Sequence, residues 1–153
     1  MPPRREGVHR VLLLVEPDAS AALRIGEPLF GTVDVHTHRR FETARRDIAS
    51  LEPDFVVANL RLGEFNGLHL AYIANAMRKT PCVVYTVERE PGMAREIQRS
   101  GAFYEIAERL PITLRHLMFS PLPAFDRRNA EAPDRRLSVR GGRRAWDLHV
   151  ASA

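Results

Sequence analysis

The side chains able to do chemistry stand at the ends of short apolar runs. Glu16 and Asp18 follow Val11–Val15, Asn59 follows Phe55–Ala58, Thr86 lies near the end of Cys82–Val87, and Glu108 follows Ala102–Ile106. The carboxylates of Glu16, Asp18 and Glu108 offer the oxygen ligands a hard cation such as Mg²⁺ prefers. Asn59 adds no charge to that set, so weak Mg²⁺ binding is the most these residues predict, and no other cofactor is expected. Asn59 also has a plainer reading as a hydrogen-bonding cap on a strand end, and Thr86 as a hydroxyl bonded to backbone. His36 and His38, two apart on one strand, share a face but lack a third ligand nearby, so they read as solvent-exposed. Cys82 opens an apolar run and reads as a buried, inert thiol. No nucleophile–base pair and no Gly-rich phosphate loop is visible, and catalysis is not expected.

These residues need a scaffold that gathers strand ends. Val11–Val15, Phe55–Ala58 and Cys82–Val87 do not alternate polar with apolar, as strands covered on both faces by helices do not. Val33–Thr37 alternates and reads as a strand nearer an edge, and Ala102–Ile106 as a weaker fifth strand. Helical spacing recurs between them, in Phe41, Ala44, Ile48 and Leu51, in Leu70, Ala74 and Met77, and in Leu110, Leu114, Leu117 and Met118. A short helix opens at Pro91-Gly92 and closes at Gly101, whereas Gly26 and Pro28 should end the first helix early. Strand and helix alternating in this way predict an α/β doubly wound five-stranded parallel sheet. In such sheets, sites form beyond the carboxyl ends of the strands, where Glu16, Asp18, Asn59, Thr86 and Glu108 stand.

The 153 residues suffice for one domain and a tail, assigned here to 10–119 and 120–153. A single cysteine excludes an internal disulfide. The basic start at Met1–Arg10 precedes an apolar run too short for a signal peptide, and no run could span a bilayer; a cytoplasmic protein with no membrane partner is expected. Of the 23 basic residues only Lys79 is lysine. Beyond Phe119 the apolar period stops, prolines recur, and seven arginines stand against four acids. That composition predicts a basic, flexible tail whose removal leaves the domain folded. Arg140, Arg143 and Arg144, grouped around Gly141-Gly142, could converge on phosphates, but no aromatic interleaving supports stacking on bases.

The order and spacing of these pieces resemble the receiver domain of bacterial response regulators, over Val11 to Met118. Asn59-Leu-Arg-Leu-Gly-Glu-Phe-Asn-Gly67 is similar to the family segment that runs from the phosphoacceptor aspartate to a glycine eight residues on. Pro81–Thr86 looks like its fourth strand with the hydroxyl switch residue, and Gly101-Ala102 like the dipeptide before its fifth. The resemblance implies a flavodoxin-like sheet of order 2-1-3-4-5. It also places Asn59 at the phosphoacceptor position, Glu16 and Pro17 at the acidic pair with Asp18 one place later, Glu108 at the phosphate-binding lysine, and Glu105 at the aromatic switch.

These substitutions all point the same way. The neutral amide of Asn59 cannot form an acyl phosphate, and Glu108 would repel a phosphoryl group. The expectation is a pseudo-receiver of a two-component phosphorelay that acts by phosphorylation-independent protein–protein interaction. Its partner would be a histidine kinase, another regulator or an output protein, met through the face around Thr86, the fourth helix and Glu105. Arg89, Arg95, Arg99 and Arg109 would line that face, with Glu105 on its surface and Tyr104 turned to the opposite side of the strand. The alternative is a regulator that binds nucleic acid or another anion through Arg140, Arg143 and Arg144.

Overall fold

The computed structural model describes residues 10–123 together with Asp126 and Arg128. In chain order the elements are β1 (Arg10–Val15), α1 (Ala19–Gly26), β2 (Val33–His38), α2 (Phe41–Leu51), β3 (Phe55–Asn59), β4 (Arg61–Leu62), β5 (Phe65–Asn66), α3 (Gly67–Arg78), β6 (Cys82–Thr86), α4 (Pro91–Arg99), β7 (Phe103–Ile106) and α5 (Leu110–Phe119). Five strands form one parallel sheet of order β2-β1-β3-β6-β7. This is the expected 2-1-3-4-5 order, because β4 and β5 pair only with each other as a small hairpin outside the sheet.

Strand alternation splits the core in two. Leu13, Val15, Val56, Ala58 and Val84 face Phe41, Ile48, Leu70, Ala74 and Ile97 from α2, α3 and α4. Leu12, Leu14, Val57, Val83 and Tyr85 face Ala22, Ile25, Leu110, Leu114 and Met118 from α1 and α5. Every residue of β3 and β6 is buried, which explains their unbroken apolar character. β2, at one edge, is only partly covered, and its sequence alternates accordingly. Helix α1 stops at Gly26, with Pro28 in the short 3₁₀ turn behind it.

Two glycines are obligatory for different reasons. Gly101 has φ +89°, a left-handed turn that delivers the chain from α4 to β7. At Gly67 a Cβ would lie 2.3 Å from the carbonyl oxygen of Asn59. The loop after β3 therefore folds back tightly, with Gly67 N–H donating to Leu60 O at 2.9 Å and Leu60 N–H to Tyr85 O at 2.8 Å. Asn66 caps α3 by accepting from His69 N–H, and Phe65 of the hairpin stacks on Phe41 with ring centroids 4.4 Å apart.

Candidate functional site

At the carboxyl ends of the sheet, a cavity of about 430 Å³ is lined by Glu16, Asp18, Asn59, Tyr85 and Glu108, with Arg24 at its side. The fold thus brings together four residues singled out in the sequence. Glu16, which extends β1 and is 4% exposed, is the hub. Its Oε1 accepts Asp18 N–H at 2.9 Å, and its Oε2 accepts Asn59 Nδ2–H at 2.9 Å together with the Tyr85 hydroxyl. The other side of the Asn59 amide is also used, its Oδ1 accepting Arg61 N–H at 2.9 Å. Asp18 turns its carboxylate to the first turn of α1, where Oδ1 accepts Ser20 N–H as an N-cap.

Tyr85 is the residue that sequence reasoning missed. It reads as one more apolar position of β6, yet alternation turns it from the Thr86 face to the pocket side. Burial raises its phenol pKa well above the usual range, and the hydrogen bond and charge of Glu16 add to the shift, so Tyr85 stays protonated and donates. The signal in the sequence is a hydroxyl-bearing ring one residue from the carboxyl end of a buried strand.

Thr86 lies on the opposite face of β6 in a second network. Its hydroxyl donates to Glu88 O, so the 2.8 Å contact with Tyr104 must be donated by the tyrosine. Tyr104 Oη in turn accepts Glu90 N–H at 3.0 Å. The buried ring of Tyr104 therefore joins β7 to the loop that starts α4.

This corrects the expectation for β7. Register pairs Val84 with Tyr104 and Thr86 with Ile106, so Tyr104 shares the Thr86 face. Glu105 is 4% exposed and does not decorate the surface. Its Oε2 accepts Thr113 Oγ1–H at 2.6 Å and Arg128 Nη1–H at 2.9 Å, and its Oε1 accepts Ile106 N–H at 3.0 Å. Glu108, placed at the lysine position by the resemblance, lines the cavity, as does its neighbour Ala107, and neither brings a cation.

Arg89, Arg95 and Arg99 are exposed along the β6–α4 loop and α4, whose Ala94 and Ile97 are buried. Arg109 stands at the N-cap of α5, and Glu90 pairs with Arg61 at 2.9 Å. Cys82 is buried, which pushes its thiol up to about 12. His36 meets Asp34 at 3.1 Å and His38 meets Asp47 at 2.8 Å. Among the described residues no cluster of three His, Cys, Asp or Glu side chains could hold a metal, and no helix is long and apolar enough to cross a membrane. Arg140, Arg143 and Arg144 lie outside the described residues.

Beyond α5, described residues of the stretch read as a flexible tail still meet the domain. Leu122 packs against the core on the α1–α5 side, and Asp126 is 8% exposed against β7.

Solved structures with the same fold are response-regulator receiver domains. The activated N-terminal receiver domain of Klebsiella pneumoniae RstA superposes with a TM-score of 0.65 at 22% identity, over 71% of this chain and 95% of that one. Vibrio cholerae CheY4, a chemotaxis protein, gives 0.63 at 18% identity over 71% and 98%. Thermotoga maritima DrrB, an OmpR/PhoB homologue, gives 0.61 at 18% identity, and there the match spans 72% of this chain but about half (53%) of DrrB. No protein-family model matches the chain, and no curated protein matches it in sequence. The five-stranded sheet with its flanking helices is the receiver fold.

Proposed function

We propose that this receiver-type module signals by binding a protein partner through the face formed by α4, β7 and α5, without taking up a phosphoryl group. One observation carries the reading: Glu16, Asn59 and Tyr85 close the pocket on themselves. Three donors already converge on the Glu16 carboxylate, and the Asn59 amide fills both of its hydrogen-bonding roles locally. A divalent cation entering there would meet an N–H dipole pointing at Glu16 and would have to break those bonds, so the donor set does not fit Mg²⁺. A phosphoryl group would find an amide in place of a carboxylate nucleophile and would face Glu16, Asp18 and Glu108 without a compensating lysine.

The Thr86–Tyr104 clasp supports the same reading. By family resemblance, the phosphoryl group draws the hydroxyl residue inward and the aromatic follows. Here the two are already joined and the ring is buried, so the adjoining face is held in one arrangement. Arg95 and Arg99, one turn apart on α4, give that face a positive stripe suited to an acidic protein surface. The partner is a kinase, another regulator or an output protein of a phosphorelay.

Incubation with acetyl phosphate and Mg²⁺, followed by intact-mass measurement, should show no phosphoryl adduct. Cross-linking in host extract should capture a protein partner that Arg95→Glu loses. Retained capture by Arg95→Glu, with loss on replacing Arg140, Arg143 and Arg144, would move the interaction to the basic tail and overturn the assignment of the face.

A further inference from the structure

β7 ends the sheet, and residues Tyr104 and Ile106 turn their backbone groups outward, since Phe103 and Glu105 point theirs toward β6. All four outward groups are engaged. Tyr104 N–H donates to Asp126 Oδ2 at 3.1 Å, and Tyr104 O accepts from Arg128 Nη2. Ile106 N–H donates to Glu105 Oε1, and Ile106 O accepts Arg109 N–H at 3.0 Å. Two of the four partners come from beyond α5, where Asp126 and Arg128 stand in, side chain for backbone, for a neighbouring strand.

Their hold is not confined to β7. Arg128 reaches Asp126 through Nε and Nη2 at 2.9 Å each, and Glu105 through Nη1 at 2.9 Å. Gln98 of α4 donates Nε2–H to Arg128 O at 2.9 Å. Glu105 is fixed to α5 by Thr113. One arginine thus ties together α4, β7 and, through Glu105, α5. An exposed ion pair would contribute little; here the Arg128 side chain is 48% exposed, but the Asp126 and Glu105 side chains it meets are only 2% and 6% exposed.

We propose that Asp126 and Arg128 form an intramolecular latch: they occupy the α4–β7–α5 face, so a protein partner reaches it only by displacing them. The inference rests on the reading of that face as the partner surface. The latch gains from being tethered, because the short connection from Phe119 keeps it at a high effective concentration that a partner in solution must outcompete.

The test uses the full chain, with Asp126→Ala/Arg128→Ala as the main variant and Arg128→Ala as a milder one. Hydrogen exchange should show the Tyr104 amide at least tenfold faster in both variants, while the Val57 and Val84 amides keep their wild-type protection. A fluorescent synthetic peptide of residues 120–132 is the probe for occupancy. It should bind the double variant saturably and fail to bind the wild type, whose own Asp126 and Arg128 hold the face. Unchanged Tyr104 exchange in both variants overturns the latch, as does equal binding of the peptide to wild type and double variant, or binding to neither. No partner enters these measurements, so their failure leaves the Arg95→Glu result standing and the converse also holds.

Discussion

The Glu16 side chain is accommodated in a buried position because three donors meet its oxygens, and removing any of them leaves a buried acceptor less satisfied. Tyr85→Phe deletes one donor while keeping the ring, and should lower stability by about 2 kcal/mol, the range for hydrogen bonds to charged groups; chemical denaturation measures it. Asn59→Asp replaces a donor by a second carboxylate against Glu16 and should cost about 2 kcal/mol at neutral pH through like-charge repulsion. Added Mg²⁺ should recover much of that loss in the variant, whereas the wild-type denaturation midpoint stays insensitive to Mg²⁺. Glu16, Asp18, Asn59 and Glu108 were legible in the sequence, because strand ends announce themselves as the last apolar residue before a polar one, but Tyr85, one residue inside its strand, was not. Nor were the bonds among them. Nothing in the order of residues says that Asn59 spends its amide on Glu16, or that Tyr85 faces the pocket while Thr86 faces away, until the register of β6 is fixed.

At the scale of elements, two close approaches hold the site's geometry. A methyl group on residue 67 would collide with the Asn59 carbonyl, so Gly67→Ala should destabilise by about 3 kcal/mol through forced backbone movement. The loss should appear in thermal melts. On the opposite face, Tyr104→Phe leaves Glu90 N–H without its acceptor and Thr86 without its donor. The Glu90 amide should then exchange faster and the start of α4 fray, at a cost of about 1 kcal/mol. The five strands followed from apolar runs and helical spacing, which tertiary contacts reinforce, and their order from the resemblance to receiver domains. The β4–β5 hairpin did not, since two-residue strands leave no period to read. The side of β7 on which Tyr104 falls was misjudged for a related reason. One residue gained or lost in the turn at Gly101 inverts the faces of the strand, and spacing borrowed from a resemblance cannot register that.

For the whole molecule, the boundary at Phe119 marks the end of helical periodicity, not of packing. Leu122 and Asp126 are both engaged with the domain, so deletion from Ser120 onward should cost more than the roughly 1 kcal/mol of ordinary surface changes. Sequence could not show this, because a contact made by one leucine, one aspartate and one arginine at irregular intervals has no pattern. Its pH dependence is set by Asp126. Burial opposes its charge, but the hydrogen bonds and charge of Arg128, with Tyr104 N–H and Gln98, hold its carboxyl below the usual aspartate range. A lowered folded-state pKa stabilises at pH above the ordinary aspartate value and loses that contribution as pH falls through the folded value. Corrected for the intrinsic pH dependence of exchange, Tyr104 amide protection should stay flat from neutral pH down to the usual aspartate range. It should then decline below it.

The complete engagement of β7 also bears on what a concentrated solution of this protein can build. Strand-by-strand growth of a sheet across molecules needs an acceptor edge on each side of every subunit. With Tyr104 and Ile106 already satisfied, β2 is the sheet's remaining outer strand. Two copies could join there about a twofold axis, and the assembly would then present only closed edges. Filaments that grow by adding this sheet edge to edge are thereby blocked at β7 for as long as Asp126 and Arg128 stay in place.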